Sequence, residues 1–230
     1  MKKWLHDFLS LFYPDTCAAC DGLLQTGEIL ICTECRHELP FTQQHLHPEN
    51  EAFRAFYGRL PVEHVSCLLY YHRHGRVQRL IHKLKYKGRE DIGTALGHLT
   101  GAGLQDAGLP STIDAIVPVP MHPKKQRKRG YNQVTSFAET LSGYLEVPCD
   151  PSLLVKSVQS KSQSKKSFFE RIATEDKGFD VQFDASHHGR HFLLVDDVLT
   201  TGATLESCGK ALLRIPGARL SIVTMAMTYK

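Results

Sequence analysis

The stretch Phe192-Leu-Leu-Val-Asp-Asp-Val-Leu-Thr-Thr-Gly-Ala-Thr204 constrains the fold more than any other part of the chain. Its opening apolar run reads as a buried strand, and the pattern of 203–213 that follows is helical. Between them lie two adjacent carboxylates and a Thr/Gly turn. Strand, short turn and helix make up the repeating unit of an open α/β sheet, which binds ligands at the carboxyl ends of its strands. Asp196 and Asp197 are predicted to sit at such an end.

The rest of the sequence supports the same class. Residues 62–71 are rich in β-branched and aromatic side chains and predict a strand. Val77, Leu80, Ile81 and Leu84 have helical spacing, in the first of two helical patterns split at Lys87–Gly88. A short buried strand over 113–117, a Pro- and Lys/Arg-rich loop, a helix over about 132–144 and a last strand over 220–226 complete the pattern. Alternating strands and helices predict a largely parallel sheet with helices on both faces. Residues 157–167 are polar and aperiodic and read as a loop.

Four of the seven cysteines form two Cys-x-x-Cys pairs, Cys17/Cys20 and Cys32/Cys35, separated by eleven residues. Each pair can place two thiolates on one ion, and four thiolates complete a closed tetrahedral zinc site, structural rather than catalytic. So small a module has little core of its own, so the metal would supply much of its folding free energy. Cys67, Cys149 and Cys208 stand alone in apolar surroundings and read as small core residues. At 230 residues the chain has room for one medium domain and a small appendage. The expected division is a zinc module with an N-terminal helix over 1–47, a connector over 48–61 and an α/β domain over 62–230.

Trp4, Leu5, Phe8, Leu9, Leu11 and Phe12 suit one face of a short helix packed on the module. His6 and Asp7 interrupt the apolar run and no small-residue cleavage site follows, so the segment does not read as a signal peptide. Reduced thiols and the lack of a long apolar run predict a cytoplasmic protein with no transmembrane segment. A net charge of +4 is too mild to imply a nucleic-acid partner. Its distribution is less even: Lys124, Lys125, Arg127, Lys128 and Arg129 fall within six positions.

The segment around the two carboxylates has a chemical reading. Backbone N–H groups of Thr200, Thr201, Gly202, Ala203 and Thr204, entering a helix N-terminus, suit a phosphate monoester, with Gly202 allowing close approach. Asp196 and Asp197 can accept hydrogen bonds from a ribose diol and help hold Mg²⁺. Phosphate, diol and metal together describe 5-phosphoribosyl-1-pyrophosphate (PRPP).

This segment resembles the PRPP-binding signature of type I phosphoribosyltransferases. With Leu80-Ile-His-Lys-Leu-Lys-Tyr-Lys-Gly88, Val117-Pro-Val-Pro-Met-His-Pro123, Arg129-Gly-Tyr-Asn-Gln133 and the cysteine pairs, nearly the whole chain resembles the ComF family, also called GntX-like. The resemblance implies that Asp196 and Asp197, the catalytic pair, contact ribose, and that residues 200–204 hold the 5-phosphate. It places pyrophosphate on the loop Pro118–His122, with Pro120, Met121 and His122, and has the basic run Lys124–Arg129, with Arg127 and Arg129, neutralise pyrophosphate or bind a second anionic partner. Ser160, Gln163 and Arg171 are the counterparts of a closing loop, with Lys156 where the family has Arg and Thr174 where it has Asn.

A catalyst of this type would transfer the phosphoribosyl group from C1 to an unidentified acceptor and release pyrophosphate, with Mg²⁺ and the basic residues stabilising the leaving group. Purine salvage enzymes of similar fold carry an acid where Thr200 stands here, which argues against a purine acceptor. The resemblance also implies a role in natural competence, with single-stranded DNA and a helicase-like protein as partners. The alternative reading is therefore a non-catalytic protein that senses PRPP or binds single-stranded DNA.

Overall fold

The computed structural model describes residues 14–108, 112–156 and 178–229. Its centre is a four-stranded sheet of β1 (His64–Tyr71), β2 (Ala115–Pro118), β5 (His191–Leu199) and β6 (Arg219–Thr228), in the order β1-β6-β5-β2. All its pairings are parallel, as the sequence predicts. The short strands β3 (Leu154–Lys156) and β4 (Phe179–Val181), not foreseen in the sequence, form a separate antiparallel pair. The helices are α1 (Thr33–His37), α2 (Glu51–Arg54), α3 (Arg76–Tyr86), α4 (Asp91–Asp106), α5 (Pro123–Arg129), α6 (Thr135–Leu145) and α7 (Ala203–Leu212).

Both faces of the sheet are covered because successive strand residues point to opposite sides. On β5, Leu193 and Val195 join a core with α3, α4 and α6, whereas Phe192 and Leu194 join one with α7 and the segment after α2. Two helices on the first face approach closely: Gly93, Gly97 and Gly101 of α4 lie against Ser136, Thr140 and Tyr144 of α6. A methyl at Gly101 would come within 2.5 Å of the Tyr144 Cγ. The stripe explains why α4 carries glycine every fourth residue.

Residues 48–61 are more than a connector. Ala52, Phe56 and Leu60 are buried against β1, α7 and β6, and the Asn50 side chain caps α2 while bonding the carbonyls of Gln44, His47 and Val65. Upstream, the Tyr70 amide bonds the Pro40 carbonyl and the Thr42 amide bonds Leu68, so residues 40–42 run along the edge of β1.

The Lys/Arg-rich loop of the sequence reading is a helix, α5. His122 caps it through Nδ1, accepting from the Lys124 amide at 3.1 Å, Pro123 occupies its first turn, and Gly130 ends it at φ +87°. Lys, Gln and Arg are good helix formers. With no buried residue in the segment, apolar periodicity had nothing to detect.

Candidate functional site

β2 and β5 are parallel neighbours, so the segments after them emerge side by side at the carboxyl edge of the sheet. The Val119 amide donates to the Val195 carbonyl at 2.9 Å, extending this pairing into the 118–122 loop. Asp196 and Asp197 lie inside β5, which runs four residues beyond the predicted end of that strand. The structure thus brings together the carboxylate pair, the 118–122 loop and the turn of residues 200–204.

The two carboxylates have different surroundings. Asp197 is 6% exposed and held on both oxygens, by Lys85 Nζ at 2.8 Å and by Gln133 Nε2 at 2.5 Å. Asp196 accepts from the Asp197 amide at 2.8 Å. Burial and the adjacent Asp197 charge push the Asp196 carboxyl up to about 7. A group that ionises near neutrality, beside one neutralised by lysine, can accept a hydroxyl or a divalent cation without large rearrangement.

The turn after β5 forms a concavity of about 40 Å³ lined by Asp196 and residues 198–205. Gly202 is required there twice: its φ is +78°, and a Cβ would meet the Phe56 ring at 3.3 Å. Arg59 braces the turn, donating Nη1 to the Thr201 carbonyl at 3.0 Å and Nε to Glu206 at 2.9 Å. Pro120, Met121 and His122 follow β2 in the loop that the Val119–Val195 bond ties to β5, Arg127 is exposed on α5, and Arg129 donates to Gln133. Ser160, Gln163, Arg171 and Thr174, like the N-terminal apolar segment, lie outside the described residues.

Sequence reasoning assigned no role to Lys85, Gln133 or Arg59. Lys85 and Gln133 sit inside two of the motifs quoted above. Their convergence on Asp197 spans 112 and 64 positions, which no local pattern reports.

At the other end of the chain, Cys17, Cys20, Cys32 and Cys35 bring their four Sγ atoms within 4.8 Å of one another. A regular tetrahedron of thiolates about 2.3 Å from zinc has edges of roughly 3.8 Å, and the Cys20 and Cys32 sulfurs are 3.9 Å apart. The donor set fits structural zinc. Amides of Ala19, Cys32 and Cys35 point at the sulfurs of Cys17 and Cys32, as thiolates require. Burial opposes ionisation of Cys17, but donation from Cys32 and Ala19 outweighs it and brings that thiol to about 6. Arg76 Nε reaches Cys35 Sγ at 3.1 Å and fixes the cluster to α3.

No family model matches the chain. Among curated proteins it is 27% identical over 223 residues to DNA utilization protein YhgH of Escherichia coli (strain K12), covering 96% of this chain and 93% of that protein. It is 25% identical over 214 residues to Competence protein F of Haemophilus influenzae, covering 89% and 93%. The chain is similar to both proteins over most of its length. A shorter match, 35% over 98 residues, links it to Competence protein ComFC of Bacillus subtilis, covering 43% of this chain and 38% of that one. An adenine phosphoribosyltransferase structure overlaps 65% of this chain and 74% of its own, at 19% identity and a TM-score of 0.40. Among the described residues no helix is long and apolar enough to cross a membrane.

Proposed function

We propose that the chain binds PRPP with Mg²⁺ at the carboxyl edge of β5 and acts in DNA uptake, a role consistent with relatives named for DNA utilization and competence. The observation that supports this best is the junction of β5 and α7, where an Asp pair precedes a Gly202-centred turn into a helix N-terminus. Asp196 and Asp197 would accept the ribose hydroxyls. The amides of residues 200–204 would hold the 5-phosphate, and Pro120, Met121, His122, Arg127 and Arg129 would face pyrophosphate. Mg²⁺, held by the diol, the pyrophosphate and the Asp pair, would supply charge neutralisation for the leaving group. Lys85 and Gln133 position Asp197 so that its oxygens stay fixed as ligand arrives.

Calorimetric titration with PRPP and Mg²⁺, beside Asp196→Asn/Asp197→Asn, tests the reading. Binding by the native protein and its loss in the variant are expected, and no binding by folded, zinc-loaded protein would overturn it. Release of pyrophosphate in the same mixtures, where water takes ribose C1, would mark a catalyst and justify a search for its acceptor.

A second reading, single-stranded DNA binding, is favoured by α5, whose Lys124, Lys125, Arg127 and Lys128 are exposed and form no ion pair among the described residues. Its test is the salt dependence of affinity. Replacing Lys124, Lys125, Lys128 and Arg129 by Ala is expected to flatten the slope, and an unchanged slope removes α5 from any DNA contact.

A further inference from the structure

Helix α5 divides its own charges. At about 100° per residue, Lys125, Lys128 and Arg129 share a face, and these three, without Lys124 or Arg127, line a pocket of about 340 Å³. Its other walls include Lys85, Tyr86 and Tyr131, from the end of α3 and the segment after α5. The volume falls within the range of roughly 300–1,000 Å³ usual for small-molecule sites.

Two of the four cations are already engaged. Lys85 holds Asp197, and Arg129 is bonded to Gln133 and lies over the Tyr86 ring, 4.9 Å from its centroid. Lys125 and Lys128, three residues apart on one helix face, form no ion pair among the described residues. The pocket therefore joins two positive charges without ion pairs to an exposed tyrosine ring that carries the Arg129 guanidinium over it and His82 beside it, centroids 4.9 Å apart. A phosphate monoester answers the charges but gives the ring no partner. A base attached to that phosphate answers both, because bases stack on tyrosine rings and guanidinium planes.

We propose that this pocket binds a nucleotide, its phosphate between Lys125 and Lys128 and its base against the Tyr86–Arg129 pair. The nucleotide would be free or the 5′-phosphorylated end of a strand. The site is separate from the turn of residues 200–204, and two residues link the regions: Lys85 through Asp197, and Arg129 through Gln133 and its proposed place beside pyrophosphate.

The test is calorimetry on the full chain with adenosine 5′-monophosphate, repeated in excess ribose 5-phosphate so that the turn of residues 200–204 is competed for. Binding is expected to survive the competitor, to exceed that of inorganic pyrophosphate, and to weaken about tenfold or more in Lys125→Ala/Lys128→Ala and in Tyr86→Ala. If the mononucleotide fails but a 5′-phosphorylated oligonucleotide binds with the same dependence on both variants, while its unphosphorylated form does not, the source is a strand end. Displacement by ribose 5-phosphate, indifference to either variant, pyrophosphate binding as tight as the nucleotide, or no binding of either probe would each overturn the proposal. If PRPP itself does not bind, the reading of the β5 site falls, and the lysine and tyrosine variants still decide this one.

Discussion

Asp196 sets stability against binding within one side chain. Its folded pKa is raised from 3.8 to about 7 by burial and by Asp197, so its favourable contribution exists below pH 4 and is lost as pH rises through 7. Above that, the ligand-free fold carries a partly buried charge beside Asp197 that Lys85 offsets only in part. Asp196→Asn should therefore raise the urea midpoint at pH 8, equivalent to roughly 1–4 kcal/mol, with a smaller gain at pH 5, while abolishing PRPP binding. A midpoint equal to or below the native one at pH 8 would show that the charge is solvated. The α4 and α6 glycines make a paired comparison at the same scale. Gly143 has open space where a Cβ would stand, so Gly143→Ala should stabilise by about 0.5–1 kcal/mol through helix propensity. At Gly101 the new methyl would overlap the stem of Tyr144, which cannot swing aside, and Gly101→Ala should cost about 1–3 kcal/mol despite the same propensity gain. Denaturant unfolding of both variants reads the two signs.

Elements with apolar periodicity were legible in the sequence, and elements without it were not. Val77, Leu80, Ile81 and Leu84 announce α3 because all four are buried, and the apolar run of β5 announces a central strand because both its faces are covered. α5 escaped because nothing in it is buried, and the β3–β4 pair because each strand has three residues. The cysteine spacing announced the four-cysteine cluster, but not the element that carries it. That element is α3: Arg76 reaches Cys35 and Glu38, and Lys83 reaches the Cys17 carbonyl and Asp21. Groups that hydrogen-bond metal ligands tune affinity by about 10–100-fold. Competition with a chromogenic chelator should show a zinc loss of that order in Arg76→Ala and complete loss in Cys32→Ser. Native zinc affinity in Arg76→Ala would mean that the contact with Cys35 is incidental.

At the scale of the whole molecule, the cysteine module and the α/β domain share one core. Cys17, Ala18, Ile31, Cys35 and Leu39 are buried in the same cluster as Leu80 and Leu84 of α3, Leu96 of α4 and Val195 of β5. Residues 40–60 continue the join on the other side, along β1 and against the turn that Gly202 shapes. A module tethered only by a linker would melt alone when its metal is removed. Here its loss would uncover the apolar face of α3, a large area in an α/β domain of this size. Stripping zinc with a chelator should therefore lower the melting temperature of the entire chain by roughly 10 °C, since each kcal/mol is worth about 2–4 °C at this length. The loss should appear as one cooperative transition, with far-ultraviolet circular dichroism and aromatic signals moving together. An early transition confined to the aromatic signals, followed by an unmoved main transition, would instead show that the sheet and its 200–204 turn stand without the metal. PRPP binding would then survive chelation. In a shared core it must weaken with zinc loss, because Phe56 and Arg59, which brace the 200–204 turn, lie on the chain that links the two.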